Sequence, residues 1–224
     1  MDRRYDHGGC YLRRTAHDSR MTEHEHEHHD HDHHEHEHHH HAEPASYPEA
    51  VEQFRAEKDA YYRSGAHSQI PVDERETFAG LPYYAVDEGL VFEDRRLEPY
   101  DGDEPVNFQI PTSDGQLRPA HRAGVLKFDV GDEPRQLTAY TFDGGDGESL
   151  FVPFLDATSG TETYGAGRYL DLEPEEDGSY TLDFNLAYHP SCVYDARYSC
   201  PLTPAENRLA VRIEAGERLP AAST

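Results

Sequence analysis

GRYLDLEPEEDGSYTLDFNLAY, residues 167–188, is the stretch on which the reading of the fold rests. Two runs, Tyr169–Leu172 and Tyr180–Phe184, alternate apolar and polar residues, the period of a half-buried strand. Between them stands Asp177-Gly178, where glycine supplies the positive φ of a tight turn. The stretch therefore predicts a β-hairpin. In its second run Leu182, Phe184 and Leu186 share one face, while Asp183 and Asn185 share the other.

Outward from this stretch the same period recurs over 81–86, 90–97, 106–110, 122–129, 136–142, 150–154, 167–172, 179–185 and 208–213. Turn residues separate the runs at Asp87-Glu-Gly89, Ser113-Asp-Gly115, Gly131-Asp132 and Asp143-Gly-Gly-Asp146. Short strands at such spacing predict a mainly β single domain, an antiparallel β-barrel or sandwich-like fold, barrel more than open sandwich. One helix precedes it. Ser46 is placed to cap, Pro48 suits the first turn and Glu49 sits where a capping box puts its acid. Val51, Phe54, Lys58, Tyr61 and Tyr62 follow at helical spacing, and Gly65 stops the helix, giving 47–64. The expected organisation is a disordered tail over 1–45, one β-rich domain over 46–218 and a short tail over 219–224.

The chain of 224 residues carries 20 Lys and Arg against 45 Asp and Glu, a net charge of −25. The excess is not confined to the tail: residues 42–224 hold 15 Lys and Arg against 35 Asp and Glu. Such charge repels itself in dilute buffer and is screened by salt, so the composition points to a halophilic protein. It argues against nucleic acid, whose phosphates need cationic contacts, and against an anionic membrane surface. No apolar run is long enough to span a bilayer, and no signal-peptide core precedes the tail. With only Cys192 and Cys200 in the domain, a cytoplasmic location is expected. Met21, which opens the histidine tract, is a second candidate start.

That tract interleaves twelve histidines with acids: His24, His26, His28, His29, His31, His33, His34, His36, His38, His39, His40 and His41. It has no apolar residue to bury, so disorder is expected. Imidazole and carboxylate are ligands that Zn²⁺ and Ni²⁺ accept, and a flexible chain gathers several around one ion. Transition-metal capture is the expected chemistry. Catalysis is not, because a polydentate tail leaves no controlled open position.

The last third is dense in polar residues set between strand-like runs. Asp156, Thr158, Tyr164, Arg168, Asp183, Asn185, Tyr188 and Asn207 are candidates for binding a small polar ligand, or for turns that satisfy one another. An Asp156–Arg168 pair would fix the loop between them. Cys192 and Cys200 leave three readings open: a disulfide, two reduced packing thiols, or a metal site completed by His189. The spacing H-x2-C-x7-C departs from structural zinc motifs.

The ordered motifs F-x-D-x-T-S-G, T-Y-G-A-G-R-Y-L, D-F-N-x-A-Y-x-P-x-C and Y-x-C-P-L-x-P-x-E-N-R-L resemble the family called domain of unknown function 1684. The resemblance covers about 46–218, including F-R-A-E-K-D (Phe54–Asp59) and F-x-G-L-x-Y (Phe78–Tyr83). It implies no activity. The family's usual residue at His189 is Asn, which argues against an obligatory role there. The expected function is a non-enzymatic binding protein with a metal-capturing tail. The alternatives are a hydrolase or isomerase using Asp156, Asp183, Arg168 and Tyr164, or an interaction module.

Overall fold

The computed structural model describes residues 4–6, 10–12, 46–144 and 147–220. The histidine tract, with its predicted disorder and metal ligands, lies outside the described residues. Two short strands, β1 (Arg4–Asp6) and β2 (Cys10–Leu12), pair antiparallel.

Helix α1 spans Tyr47–Ser64 with the signals its sequence carries. The Ser46 hydroxyl accepts the Glu49 N–H at 3.5 Å, Pro48 occupies the first turn, and the Gly65 N–H closes on the Tyr61 carbonyl at 2.7 Å. Its buried residues are Val51, Arg55, Lys58 and Tyr62. Two of these are cations, which burial penalises unless each is paired. Arg55 donates to the Tyr84 carbonyl at 3.0 Å, and Lys58 meets Glu217 at 2.5 Å. The helix is therefore docked by charge as well as by apolar area.

The strands of the domain are β3 (Val91–Arg95), β4 (Asn107–Pro111), β5 (Leu117–Val130), β6 (Glu133–Thr141), β7 (Leu150–Phe154), β8 (Arg168–Leu172) and β9 (Tyr180–Asp183). Strands β4 to β8 form one antiparallel meander in chain order, and β3 pairs with β9 in a separate two-stranded sheet. The fold is mainly β and antiparallel with one long helix, but the sheet does not close into a barrel. Irregular chain pairs with part of each edge strand instead. At the β4 edge the Leu202 N–H donates to the Pro111 carbonyl at 2.8 Å, and Thr112 bridges Pro201. At the β8 edge Tyr169 and Tyr188 exchange backbone hydrogen bonds at 2.9 and 3.1 Å. These contacts satisfy part of each edge's backbone without closure.

Two expected strands shrink accordingly. Run 81–86 keeps a single bridge, Tyr83 to Glu217, and run 208–213 keeps Arg208 to Leu155. The expected hairpin across Asp177-Gly178 also fails to form. The turn itself is present, with Gly178 at φ +76° and its N–H on the Glu175 carbonyl at 2.9 Å. Yet β8 pairs with β7, and β9 pairs with β3 through Val91–Asp183 and Phe92–Leu182. Alternation defines which face of a strand is apolar, not which neighbour it bonds.

The core fills one face of the meander. Leu126, Leu137, Val152, Phe154, Leu170 and Leu172 project there against Leu182, Phe184 and Ile213. Phe184 packs edge-on against Phe154 at 5.1 Å between ring centres. The opposite faces of β6, β7 and β8 carry Tyr140, Phe151, Tyr169 and Asp171, and this face holds the cavity described next.

Candidate functional site

Most polar residues of the last third tie chain segments together. Asp156 is buried and accepts the Thr158 hydroxyl at 2.8 Å and the Ile213 N–H at 2.7 Å. Thr158 in turn shares a hydrogen bond with Thr163 at 2.9 Å. Arg168, wholly buried, stands 3.6 Å from Asp156, but its hydrogen bonds go to the carbonyls of Ile213 (2.7 Å), Ala215 and Glu217 (3.2 Å). The expected Asp156–Arg168 pair exists, and it binds the C-terminal segment to β8 rather than a ligand. Asn207 works the same way. Its side-chain carbonyl accepts the Thr138 N–H at 2.8 Å, and its amide donates to the Thr138 and Pro153 carbonyls at 2.8 and 2.7 Å.

Asp183 and Asn185 do meet, as alternation suggested, but at the start of α1. Tyr47 donates its hydroxyl to the Asp183 carboxylate at 2.9 Å, and Asn185 clasps the backbone of Asp87 on both sides at 2.8 Å. Burial raises the Asp183 carboxyl above its ordinary value, and hydrogen bonds from Tyr47 and Asn185 pull partly back.

Glu217 ends a second polar knot. It is 1% exposed, and it accepts Lys58 at 2.5 Å, the Tyr194 hydroxyl at 2.6 Å and the His189 N–H at 2.7 Å. Burial alone would raise its carboxyl; the Lys58 charge and the other partners outweigh that and hold it low. His189 lies beside it, its Nε2 accepting the Tyr164 N–H at 3.2 Å and its Nδ1 3.6 Å from Glu217. Burial pushes the imidazole down to about 4, so it is neutral at pH 7. Cys192 and Cys200 are free thiols, with the Cys192 N–H donating to Cys200 Sγ at 3.3 Å. Among the described residues no three His, Cys, Asp or Glu side chains gather as a metal site.

Of the eight ligand candidates, Tyr188 alone lines a cavity of about 500 Å³ over β6 to β8. Strand register builds its floor. Tyr140 pairs with Phe151 and Phe151 with Asp171, so the three side chains form a row across β6, β7 and β8. Phe151 meets Tyr169 edge-on at 4.7 Å, and Tyr169 meets Tyr188 edge-on at 5.7 Å. Ser191, Tyr198, Cys200 and Pro201 form one wall, and Arg118, held 4.1 Å over the Phe142 ring, stands at another.

Asp171 is the polar centre of this space. It accepts the Tyr188 hydroxyl at 2.5 Å. Burial pushes its carboxyl up to about 7, with the Tyr188 hydrogen bond pulling the other way and the neighbouring Glu173 adding to the rise. Asp171 also borders a smaller space of about 230 Å³ between β8 and β9, which Asp183 shares. Sequence reasoning missed Asp171. Its one local signal is Tyr169-Leu-Asp171-Leu, where a carboxylate shares the face of a tyrosine behind a core-facing leucine pair.

The family model described as "Protein of unknown function (DUF1684)" matches residues 76–218. The matched region begins after α1 and contains every strand from β3 to β9. Among solved structures, the solution NMR structure of an uncharacterized protein from gene locus rrnAC0354 of Haloarcula marismortui is 37% identical. The match covers 78% of this chain and 95% of that one, with a TM-score of 0.57. No curated protein matches the chain. Among the described residues no helix is long and apolar enough to cross a membrane. The chain belongs to the DUF1684 family of proteins of unknown function.

Proposed function

We propose that the β domain is a binding module for a small organic cation. The observation that carries this reading is the cavity over β6–β8, where aromatic walls surround the half-buried Asp171 carboxyl. Aromatic faces attract ammonium groups, and the attraction grows as water is excluded. Glu173 lines the same space and adds negative charge. Arg118 over Phe142 is a cation already held by one of these rings. Burial that pushes this carboxyl up to about 7 favours its protonated form, and an incoming cation favours its ionised form. Binding and proton release are therefore linked.

The test is calorimetry with choline and with its neutral isostere 3,3-dimethylbutan-1-ol. Choline should bind at least about tenfold more tightly, a difference of 1.4 kcal/mol. It should release protons at pH 7, seen as a heat that depends on the buffer. Asp171→Asn should abolish the proton release and Phe151→Ala should weaken binding. Equal affinity for both probes, or none for either, counts against the module as stated.

The tail supports a second, separable reading, transition-metal capture by His24–His41, which rests on its ligand density. The full chain should bind several more Zn²⁺ or Ni²⁺ than a chain beginning at Ala42. Equal stoichiometry would remove this reading. An enzyme is the alternative for the β domain: Asp171 lines the cavity with the Tyr188 hydroxyl on its carboxylate at 2.5 Å, and burial pushes that carboxyl up to about 7, which suits acid–base work.

A further inference from the structure

Cys192 and Cys200, two of the three cysteines of the chain, stand where neither the helix nor the cavity floor requires them. Cys192 lies on the 3₁₀ turn Ser191–Val193, and Cys200 follows after seven intervening residues. Backbone contacts hold them side by side. The Cys192 N–H reaches Cys200 Sγ at 3.3 Å. Cys200 is fixed in turn to the β4–β5 turn: its N–H donates to Ser113 Oγ at 3.0 Å, and its carbonyl accepts the Ser113 N–H at 2.8 Å.

The surroundings of the two sulfurs differ. Cys192 is half-buried and Cys200 is buried. The neighbouring Cys200 thiol, and after it the Ser113 and Tyr164 hydroxyls, favour the ionised Cys192 sulfur and hold its thiol below the ordinary value. Being the half-exposed member of the pair, Cys192 is the sulfur that a reagent from solvent reaches first. Cys200 is shifted the opposite way by the same partnership. His189 is not the base, since its Nε2 is occupied by the Tyr164 N–H.

We propose that Cys192 and Cys200 are a redox-active thiol pair, in which a hydroperoxide oxidises Cys192 and Cys200 resolves the product to a disulfide. In the first step Cys192 Sγ attacks one peroxide oxygen and the O–O bond breaks. The thiol proton ends on the leaving oxygen, which departs as an alcohol, or as water from hydrogen peroxide, and Cys192 is left as a sulfenic acid. In the second step Cys200 Sγ attacks the Cys192 sulfur and the S–O bond breaks. The Cys200 proton leaves with that oxygen as water. Two electrons pass from the two thiols to the peroxide. Because Cys200 is also part of the cavity wall, the oxidised and reduced forms present different walls to a ligand. The proposal does not depend on what the cavity binds.

The experiment treats the reduced full-length protein with one equivalent of hydrogen peroxide and maps its peptides by mass spectrometry. The expected product is a Cys192–Cys200 linkage that dithiothreitol reverses. In Cys200→Ser the reaction should stop at a sulfenic acid on Cys192 that dimedone traps, and in Cys192→Ser the remaining Cys200 should stay reduced. On the unmodified protein, iodoacetamide should label Cys192 about tenfold faster than Cys200. Equal labelling of the two thiols, dimedone on Cys200 instead of Cys192, or peroxide treatment without a 192–200 linkage would overturn the proposal. The labelling comparison needs no variant, so a substitution that fails to fold does not shield the idea.

Discussion

At the scale of single residues, the heaviest commitments are buried charges. Lys58 and Glu217 are 3% and 1% exposed, and each is stabilised by the other. Removing one partner strands the other charge in a poorly solvating interior, whereas removing both does not. Lys58→Met should destabilise the fold by about 3–5 kcal/mol, and Lys58→Met with Glu217→Gln should recover much of that loss in urea unfolding. A double variant as unstable as the single one would mean that the pair is not the source of the effect. His189 sets a pH dependence of definite sign. Its folded value near 4 lies below the ordinary 6.5, so the stability it contributes is present above about pH 6.5 and is lost as pH falls toward 4. His189→Asn keeps a side-chain acceptor for the Tyr164 N–H and removes the titration. The stability difference between the two proteins should therefore change by about 2–3 kcal/mol in favour of the variant between pH 7 and pH 4. A parallel pair of pH profiles would contradict this account.

At the scale of elements, the polar residues of the last third act as staples between segments that no ladder joins. Arg168 on β8 holds three carbonyls of the 213–217 segment, and Asn207 ties its own turn to β6 and β7. Gly216 shows how tightly that segment is laid down. It has φ +75°, and a β-carbon there would stand 2.5 Å from the Ala187 carbonyl and 2.7 Å from that of Phe184. Both contacts are backbone, which cannot swing aside. Gly216→Ala should cost more than about 2 kcal/mol, combining left-handed strain with the clash, and thermal unfolding would read it directly. A change within about 0.5 kcal/mol would show that the segment relaxes freely. The alternation in Tyr169-Leu-Asp171-Leu was legible as a strand with two faces. That its outer face would meet Phe151, Tyr140 and Tyr188 was not legible, because those residues are separated in sequence and joined only by register.

At the scale of the whole molecule, charge dominates. A net charge of −25 on 224 residues repels the compact state more than the extended one. Raising ionic strength from 0.1 M to 1 M shortens the screening length from about 10 Å to about 3 Å, so exposed repulsion is largely removed. The unfolding temperature of the full chain should rise substantially over that range in KCl. The Lys58–Glu217 pair, being buried, should contribute little to the rise, and Lys58→Met should show nearly the same salt slope as the unmodified protein. A flat salt response would remove the composition-based reading of a halophilic protein.

What the sequence determined by itself is everything set by local chemistry. Capping residues and a 3.6-residue stripe specify α1, period two and turn residues specify most of the strands, and ordered motifs specify the family. These signals act within a few residues of one another, so a linear reading recovers them. Tertiary structure alone decided which strands pair, why the meander stays open, and where the cavity lies. Pairing depends on which covered edge and which buried row best satisfy the backbone, a property of segments far apart in sequence. It turned most of the predicted ligand residues into internal staples, and it made Asp171, unremarked in the sequence, the polar centre of the cavity.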